Sequence, residues 1–529
     1  MSNIDAPMRA MLEYAAQLAE ENDFTALRGL LDGIRVDTEV KAKHLVEASY
    51  SESLAGRYRN ARTAALMAYT LRPTKPETRQ QLAARLRTIN EAGPLLELIR
   101  SSGPLHSIPI PLLLGYAAQL SYLNMQEAAL IHLDEARRAD PRYPPTLLSR
   151  GQVLTYLGRI DEAAAEFERC ITIAPQIGQA HWFLAHVRKA TADSNHVPRL
   201  RAQLARPGLP PQEEVSLAFA LHKELDDLGE HESAWQALQR ACVAKRATLR
   251  YDPDDSVRLV DALVAMPPAV PVAAQASLGP TPVFIVGMHR SGTTLLEQLL
   301  DASPAVRGVG ELYDFTSAMR YATDRHCRGV IDAGLVARAT GIDFGAVGRR
   351  YLAGMSWRLG EERFFTDKLP SNFLNIGFIC QALPQARILH MVRDPMETCF
   401  SNLRELFSDA NPYSYDQLEL AGYFVQYRRL MAHWHARFPG RILDVEYAQL
   451  TRDPEATMRG VAAFCGMEYL PAMSDPRNSG RAVATASAVQ VRQGVVRRDV
   501  PKWMVYADHL RPLSAALQAA DAGLPAGNR

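Results

Sequence analysis

Up to about residue 265 the alternation of apolar and polar positions is helical almost throughout, beginning with an amphipathic stretch in MSNIDAPMRAMLEYAAQLAEENDF. Beyond Pro282 the pattern changes. Short apolar runs, PVFIVG, RFFTD (Arg363–Asp367), ARILHMV (Ala386–Val392) and RILDVEY (Arg441–Tyr447), read as buried strands. Helical stretches near 291–302, 371–383, 395–408, 416–437 and 454–466 separate them. Strands alternating with helices predict an α/β domain with a parallel sheet covered on both faces, whose ligands sit beyond the carboxyl ends of the strands. Between the two patterns, Met266–Pro282 carries five prolines among small residues, which oppose helix and central strand alike. The expected division is a helical domain over 1–265, a linker over 266–282 and an α/β domain over 283–529.

The helical part contains an internal repeat. Asn124, Ala129, Leu133 and Pro141 recur 34 residues later as Gly158, Ala163, Phe167 and Pro175. Gly56, Ala61, Ala65 and Pro73 repeat the spacing within one copy, and Gly229 and Ala234 repeat its first offset. The period and the layout (helix, turn, helix with small residues at the crossing, then Pro) resemble a tetratricopeptide repeat. Stacked pairs of this kind form an all-α solenoid with a continuous core and a surface suited to peptides.

Composition changes this picture little. With 59 Lys and Arg against 58 Asp and Glu, the chain has no global basic field for nucleic acid. No basic region precedes an apolar run at the N-terminus, so a signal peptide is not expected, and no window has the uninterrupted apolar length of a membrane span. The six cysteines (Cys170, Cys242, Cys327, Cys380, Cys399, Cys465) form no CxxC pair. Neither a disulfide framework nor a zinc site is therefore expected, and a reducing cytoplasm is the default.

The chemistry concentrates after the first strand, at Gly287-Met288-His289-Arg290-Ser291-Gly292-Thr293-Thr294. Its glycines have the spacing of a Walker A loop, in which backbone N–H groups and a helix N-terminus face an anion. Thr293 stands where that motif needs Lys, and Arg290 supplies a cation earlier in the loop. The departure argues against nucleoside triphosphate hydrolysis and suits an anion of lower charge. A second motif, ILHMVRDPMETCFSNL, places Arg393 at a strand end and Ser401 on the following helix, where both can converge on one phosphate.

FIVGMHRSGTTLLEQLLDASPAV resembles the 5′-phosphosulfate loop of sulfotransferases, particularly tyrosylprotein sulfotransferases. The Arg393/Ser401 motif is similar to the family's 3′-phosphate site. The resemblance runs over roughly Pro282 to Tyr506, and the whole arrangement resembles bacterial tetratricopeptide-repeat sulfotransferases with a P-loop-like catalytic domain. It implies transfer of a sulfuryl group from 3′-phosphoadenosine-5′-phosphosulfate (PAPS) to a hydroxyl, with a tyrosine or other phenol favoured. The resemblance further implies that Glu311 is the base for the acceptor hydroxyl, that Lys368 and Arg290 stabilise the leaving group, and that Ser487 contacts the bridging oxygen. His289, Arg290, Ser291, Gly292, Thr293, Thr294, Arg393, Ser401, Tyr447 and Arg492 would hold the cofactor. The family's acidic residue before the base is Gly310 here. The imidazoles of His289 and of His390, inside a strand, read as structural.

No His, Cys or Asp cluster has metal-ligand spacing along the chain, and the cations of the site make a metal unnecessary, so none is expected. Two other readings stay open on the sequence: a P-loop phosphotransferase acting on nucleotides, and a repeat scaffold that binds nucleotide without turnover. The acceptor could be a peptide docked on the repeats, a glycan, a lipid or a small phenol. An oligomer is compatible with the sequence.

Overall fold

The computed structural model describes residues 14–32 without 16 and 22, then 37–267, 279–478, 483–485, 489 and 500–522. Most of the linker expected over 266–282, together with Ser487 and Arg492, lies outside the described residues.

The helical part is built of pairs: Thr38–Leu54 with Tyr58–Thr70, Ile110–Tyr122 with Gln126–Ala139, Pro144–Tyr156 with Ile160–Ile173, and Pro211–Asp227 with His231–Ala247. The turn inside each pair holds one residue with left-handed backbone: Gly56 (φ 78°), Asn124 (62°), Gly158 (79°) and Gly229 (78°). Glycine takes this conformation without strain and Asn tolerates it better than most residues. Five residues further on, Ala61, Ala129, Ala163 and Ala234 are fully buried where the helices cross. The crossing within the third pair leaves no spare room, since a Cβ on Gly151 would lie 2.4 Å from the Phe167 ring. The sequence repeat is thus a repeat of turn geometry and of close helix approach.

Five parallel strands follow: β1 (Thr281–Gly287), β2 (Val306–Gly308), β3 (Phe364–Asp367), β4 (Arg387–Val392) and β5 (Ile442–Glu446). They lie in the order β2-β3-β1-β4-β5. Val283, Phe284, Ile285 and Val286 are wholly buried, as a central strand covered on both faces requires. Strand β2 has three residues, too short for its apolar pattern to stand out. The chain goes from β1 out to the edge strand β2, returns to β3 beside β1, then crosses to the other side of β1 for β4. The strand order therefore reverses between β1 and β4, and the loops after these two strands meet at that point.

Packing groups the residues into two compact units, 1–141 with 313–358 and 142–312 with 359–529. In the first, helix Asp314–Thr323 packs against Tyr58–Thr70, and helix Phe344–Met355 packs on Asp314–Thr323. There the Tyr58 hydroxyl donates to the Ile89 carbonyl at 2.7 Å and lies 2.6 Å from Ser317 Oγ. Arg350 stacks on Tyr321, 3.5 Å from the ring centre. In the second, the helices from Pro144 to Val264 accompany the sheet. Asp226, its side chain wholly buried on a repeat helix, takes Arg404 Nη2 at 2.8 Å, Lys502 Nζ at 2.5 Å and the Tyr506 hydroxyl at 2.7 Å. No helix among the described residues is long and apolar enough to cross a membrane.

Candidate active site

The loop after β1 turns sharply, and its backbone explains its glycines. Gly287, Arg290 and Gly292 have φ of 151°, 66° and 109°. A Cβ on Gly287 would come 2.8 Å from the Met391 carbonyl oxygen, and one on Gly292 would come 2.5 Å from Tyr447 Cδ2. Neighbouring strand and ring thus press against the loop and exclude side chains at both positions. Helix Thr293–Asp301 starts directly after Gly292 with no side-chain cap, leaving its first N–H groups for an external acceptor. The Ser291 hydroxyl is buried without a hydrogen-bond partner in this loop. Buried hydroxyls are ordinarily satisfied, so a donor-rich loop with an orphaned hydroxyl fits an anionic ligand.

Around this loop the structure brings together Arg290, Gly292, Arg393, Ser401 and Tyr447. Arg290 Nε lies 3.3 Å from Ser401 Oγ, and Arg393 Nη1 donates to the Arg290 carbonyl at 3.1 Å. The Arg393 guanidinium sits 4.4 Å from the Tyr447 ring centre, a cation–π contact that sets its direction. Tyr447 opens helix Tyr447–Arg452 and does not end a strand. Both arginines face carboxylates: Arg290 Nη1 is 3.6 Å from Glu405 and Arg393 Nε is 3.1 Å from Glu397. Burial raises the pKa of Glu405 against the pull of Arg290 and Arg404.

The second part of the site lies at the ends of β2 and β3. Lys368 N–H donates to the Gly310 carbonyl at 3.0 Å, two residues beyond the last register pair Gly308–Thr366, which prolongs the pairing of the two strands. That extension places Lys368 Nζ 2.6 Å from Glu311 Oε1. The lysine side chain is fully buried, whereas 39% of the Glu311 side chain is exposed. Gly310 has φ 78°, so a residue with a side chain would be strained at the position before Glu311.

Glu297 holds this junction and carried no signal in the sequence. From the helix after the loop, its Oε1 accepts from Gly310 N–H at 2.9 Å and from Thr366 Oγ1 at 2.8 Å. Tyr156, on a repeat helix, is also close enough for the charge of Glu311 to act on its hydroxyl, whose pKa is raised chiefly by burial. An acidic residue inside TTLLEQLLD and a tyrosine 155 positions before Glu311 could be linked to the site only by the fold.

His289 stays neutral near pH 7, because burial lowers its pKa to about 4. Its ring nitrogens lie 3.2 Å from the Tyr413 hydroxyl and 3.4 Å from Ser371 Oγ, and its carbonyl accepts from Asn402 at 2.7 Å. Thr294 Oγ1 lies 3.3 Å from Thr485 Oγ1. Thr293, at the position a Walker loop gives to lysine, is buried at the helix start.

Residues 282–471 match the model of the sulfotransferase family, so the C-terminal part carries a sulfotransferase-family domain. Over 397 residues the chain is 27% identical to an uncharacterized protein of Aquifex aeolicus, covering 73% of this chain and 52% of that one. Over 205 residues it is 25% identical to protein-tyrosine sulfotransferase 2 of Gallus gallus, covering 35% of this chain and 51% of the relative. The chain thus spans about half the length of these curated relatives. A solved sulfotransferase domain from the curacin biosynthetic pathway is similar at 13% identity, with a TM-score of 0.31 over 47% of this chain and 98% of that domain.

Proposed function

We propose that the protein is a PAPS-dependent sulfotransferase whose acceptor is a hydroxyl, with a phenol such as tyrosine favoured. The observation that carries the reading is the 2.6 Å contact between Lys368 and Glu311 beside a glycine-shaped anion loop. In the proposed reaction the acceptor oxygen attacks sulfur in line with the bridging oxygen. The new S–O bond forms as the bond to the 5′-phosphate breaks, and Glu311 takes the acceptor proton. Charge developing on the departing phosphate meets Lys368, Arg290 and the loop N–H groups. Ser291, Gly292, Thr293 and Thr294 would cradle the 5′-end, with His289 contributing its backbone. Arg393 and Ser401, against Tyr447, would take the 3′-phosphate.

Ser487 at the bridging oxygen and Arg492 over the phosphates belong to this proposal through the family resemblance alone. A catalytic domain over 283–529 and a repeat domain over 1–265 belong to it through the change of hydrophobic pattern and the proline-rich stretch between them, and a peptide acceptor docked on the repeats through the resemblance to peptide-binding repeats. All six cysteines are free and buried, which suits the proposed cytoplasmic location.

Calorimetry with 3′,5′-ADP and with ATP tests the cofactor, and transfer of radiolabelled sulfate from PAPS into lysate proteins and small molecules tests the reaction. Tighter binding of 3′,5′-ADP and label that disappears with Glu311→Gln are expected. Preference for ATP, or Mg²⁺-dependent ATP hydrolysis by the unmodified protein, would overturn the assignment.

A further inference from the structure

Away from the transfer residues, three side chains from three elements converge on one point. His390 lies on β4 and Asp444 is its register partner on β5, so both side chains leave the sheet on the same face. His435 comes from the last turn of helix Gln417–Arg437. His390 Nδ1 is 2.7 Å and His435 Nε2 is 2.8 Å from the same oxygen, Asp444 Oδ1. The three ligand atoms all lie within 4.8 Å of one another.

We propose that His390, His435 and Asp444 form a binding site for a divalent transition-metal ion of the zinc class. Two imidazoles and a carboxylate are ligands such an ion favours. Both rings face the same oxygen instead of taking one oxygen each, so the three ligand atoms are clustered around one small space. Ligand atoms held about 2.1 Å from a tetrahedral zinc stand about 3.4 Å apart. The two contacts to Asp444 need to lengthen by well under one ångström, and the two imidazole nitrogens, within 4.8 Å of each other, need to close by at most about 1.4 Å. Exposure is graded: the His390 side chain is 7% exposed, His435 35% and Asp444 49%. Protein therefore backs the site, and solvent can fill the remaining coordination positions.

Orientation is also provided. His390 Nε2 is hydrogen-bonded to the Tyr427 hydroxyl on the side away from Asp444, the outer contact that fixes a ligating imidazole. The same hydroxyl takes a backbone hydrogen bond from Met288, in the loop after β1, so the ion would brace β4, β5, the long helix and that loop together. The spacings 390, 435 and 444 resemble no metal motif, which is why the chain alone shows no such site. This inference does not depend on the sulfotransferase reading.

The test uses the full-length, untagged chain freed of metal with a chelator. Titration with Zn²⁺ by calorimetry should show one saturable equivalent, and Co²⁺ should give visible d–d absorption at the same stoichiometry. His435→Ala and Asp444→Asn, both at partly exposed positions, should each weaken binding roughly 10-fold or more. Circular dichroism should show that both variants remain folded. Absence of a saturable equivalent, or uptake that neither substitution alters, would overturn the proposal.

Discussion

Around Arg290 and Arg393 the cations already face carboxylates of the chain, Glu405 and Glu397, whereas the ammonium of Lys368 is sealed from water behind a carboxylate that is itself partly exposed. If the first region takes a phosphate as proposed, that phosphate must compete with these glutamates for the two arginines. Its specificity is a matter of exchange, and the net gain is smaller than a count of arginines suggests. The second region couples the proposed base directly to the proposed leaving-group cation. A change to either partner alters the charge felt by the other, so effects there should fall on turnover.

The largest expected effect is on that second region. Glu311→Gln keeps the shape of the contact to Lys368 but cannot take a proton, and turnover should fall by roughly 10²–10⁴-fold. Affinity for 3′,5′-ADP, measured by calorimetry, should stay near that of the unmodified protein. An acceptor with a lower hydroxyl pKa should restore part of the rate in this variant and none in Lys368→Met. Equal recovery in both would erase the distinction between the two residues.

Next in size, Arg393→Ala should weaken 3′,5′-ADP binding by about 1.5–3 kcal/mol, the range for a lost charge-assisted contact, while 5′-AMP binding hardly changes. Loss of both nucleotides in parallel would remove the 3′-phosphate from this region. Glu297→Gln probes the brace beneath Glu311: one side-chain oxygen accepts from both Gly310 and Thr366, and its disturbance should lower kcat by about tenfold. A rise in KM for PAPS with kcat unchanged would instead assign Glu297 to the first region.

The smallest effect is one of pH. The His289 pKa is about 4 in the folded chain because of burial, below its ordinary value of 6.5. The unfolded chain therefore binds the proton first on acidification. The stabilisation from the neutral ring is complete above 6.5 and is lost as pH falls from there toward 4. Between pH 6.5 and 5.5 this single group should remove about 1 kcal/mol. In urea melts His289→Gln should lose that much less over the same interval, and identical acid slopes would contradict a neutral buried ring.

Local chemistry was the part that could be read along the chain. Gly287 and Gly292 are dictated by backbone angles and close neighbours, and Arg393 with Ser401 by one strand end and one helix. The turn residues of the helical pairs have the same origin, since Asn124, Gly158 and their counterparts answer to a left-handed φ. Contacts made by the fold were silent. Glu297, Glu405 and Tyr156 reach the site from segments whose periodicity gives no reason to single out a polar position. The His390, His435 and Asp444 group depends on the register of β4 with β5. Strand β2, with three residues, offers too few positions for a period of two to register.

The grouping of residues 313–358 with 1–141 bears on synthesis. A ribosome releases the first helices long before the segment that shares their compact unit. The intervening 142–312 takes roughly 10 to 35 s to make at about 5–20 residues per second. During that interval Phe315 and Tyr351, which are buried in the finished unit and meet edge to face, are not yet part of it. The order of the gene thus obliges the first unit to wait, about three quarters complete, until the loop after β1 and strand β2 have left the ribosome.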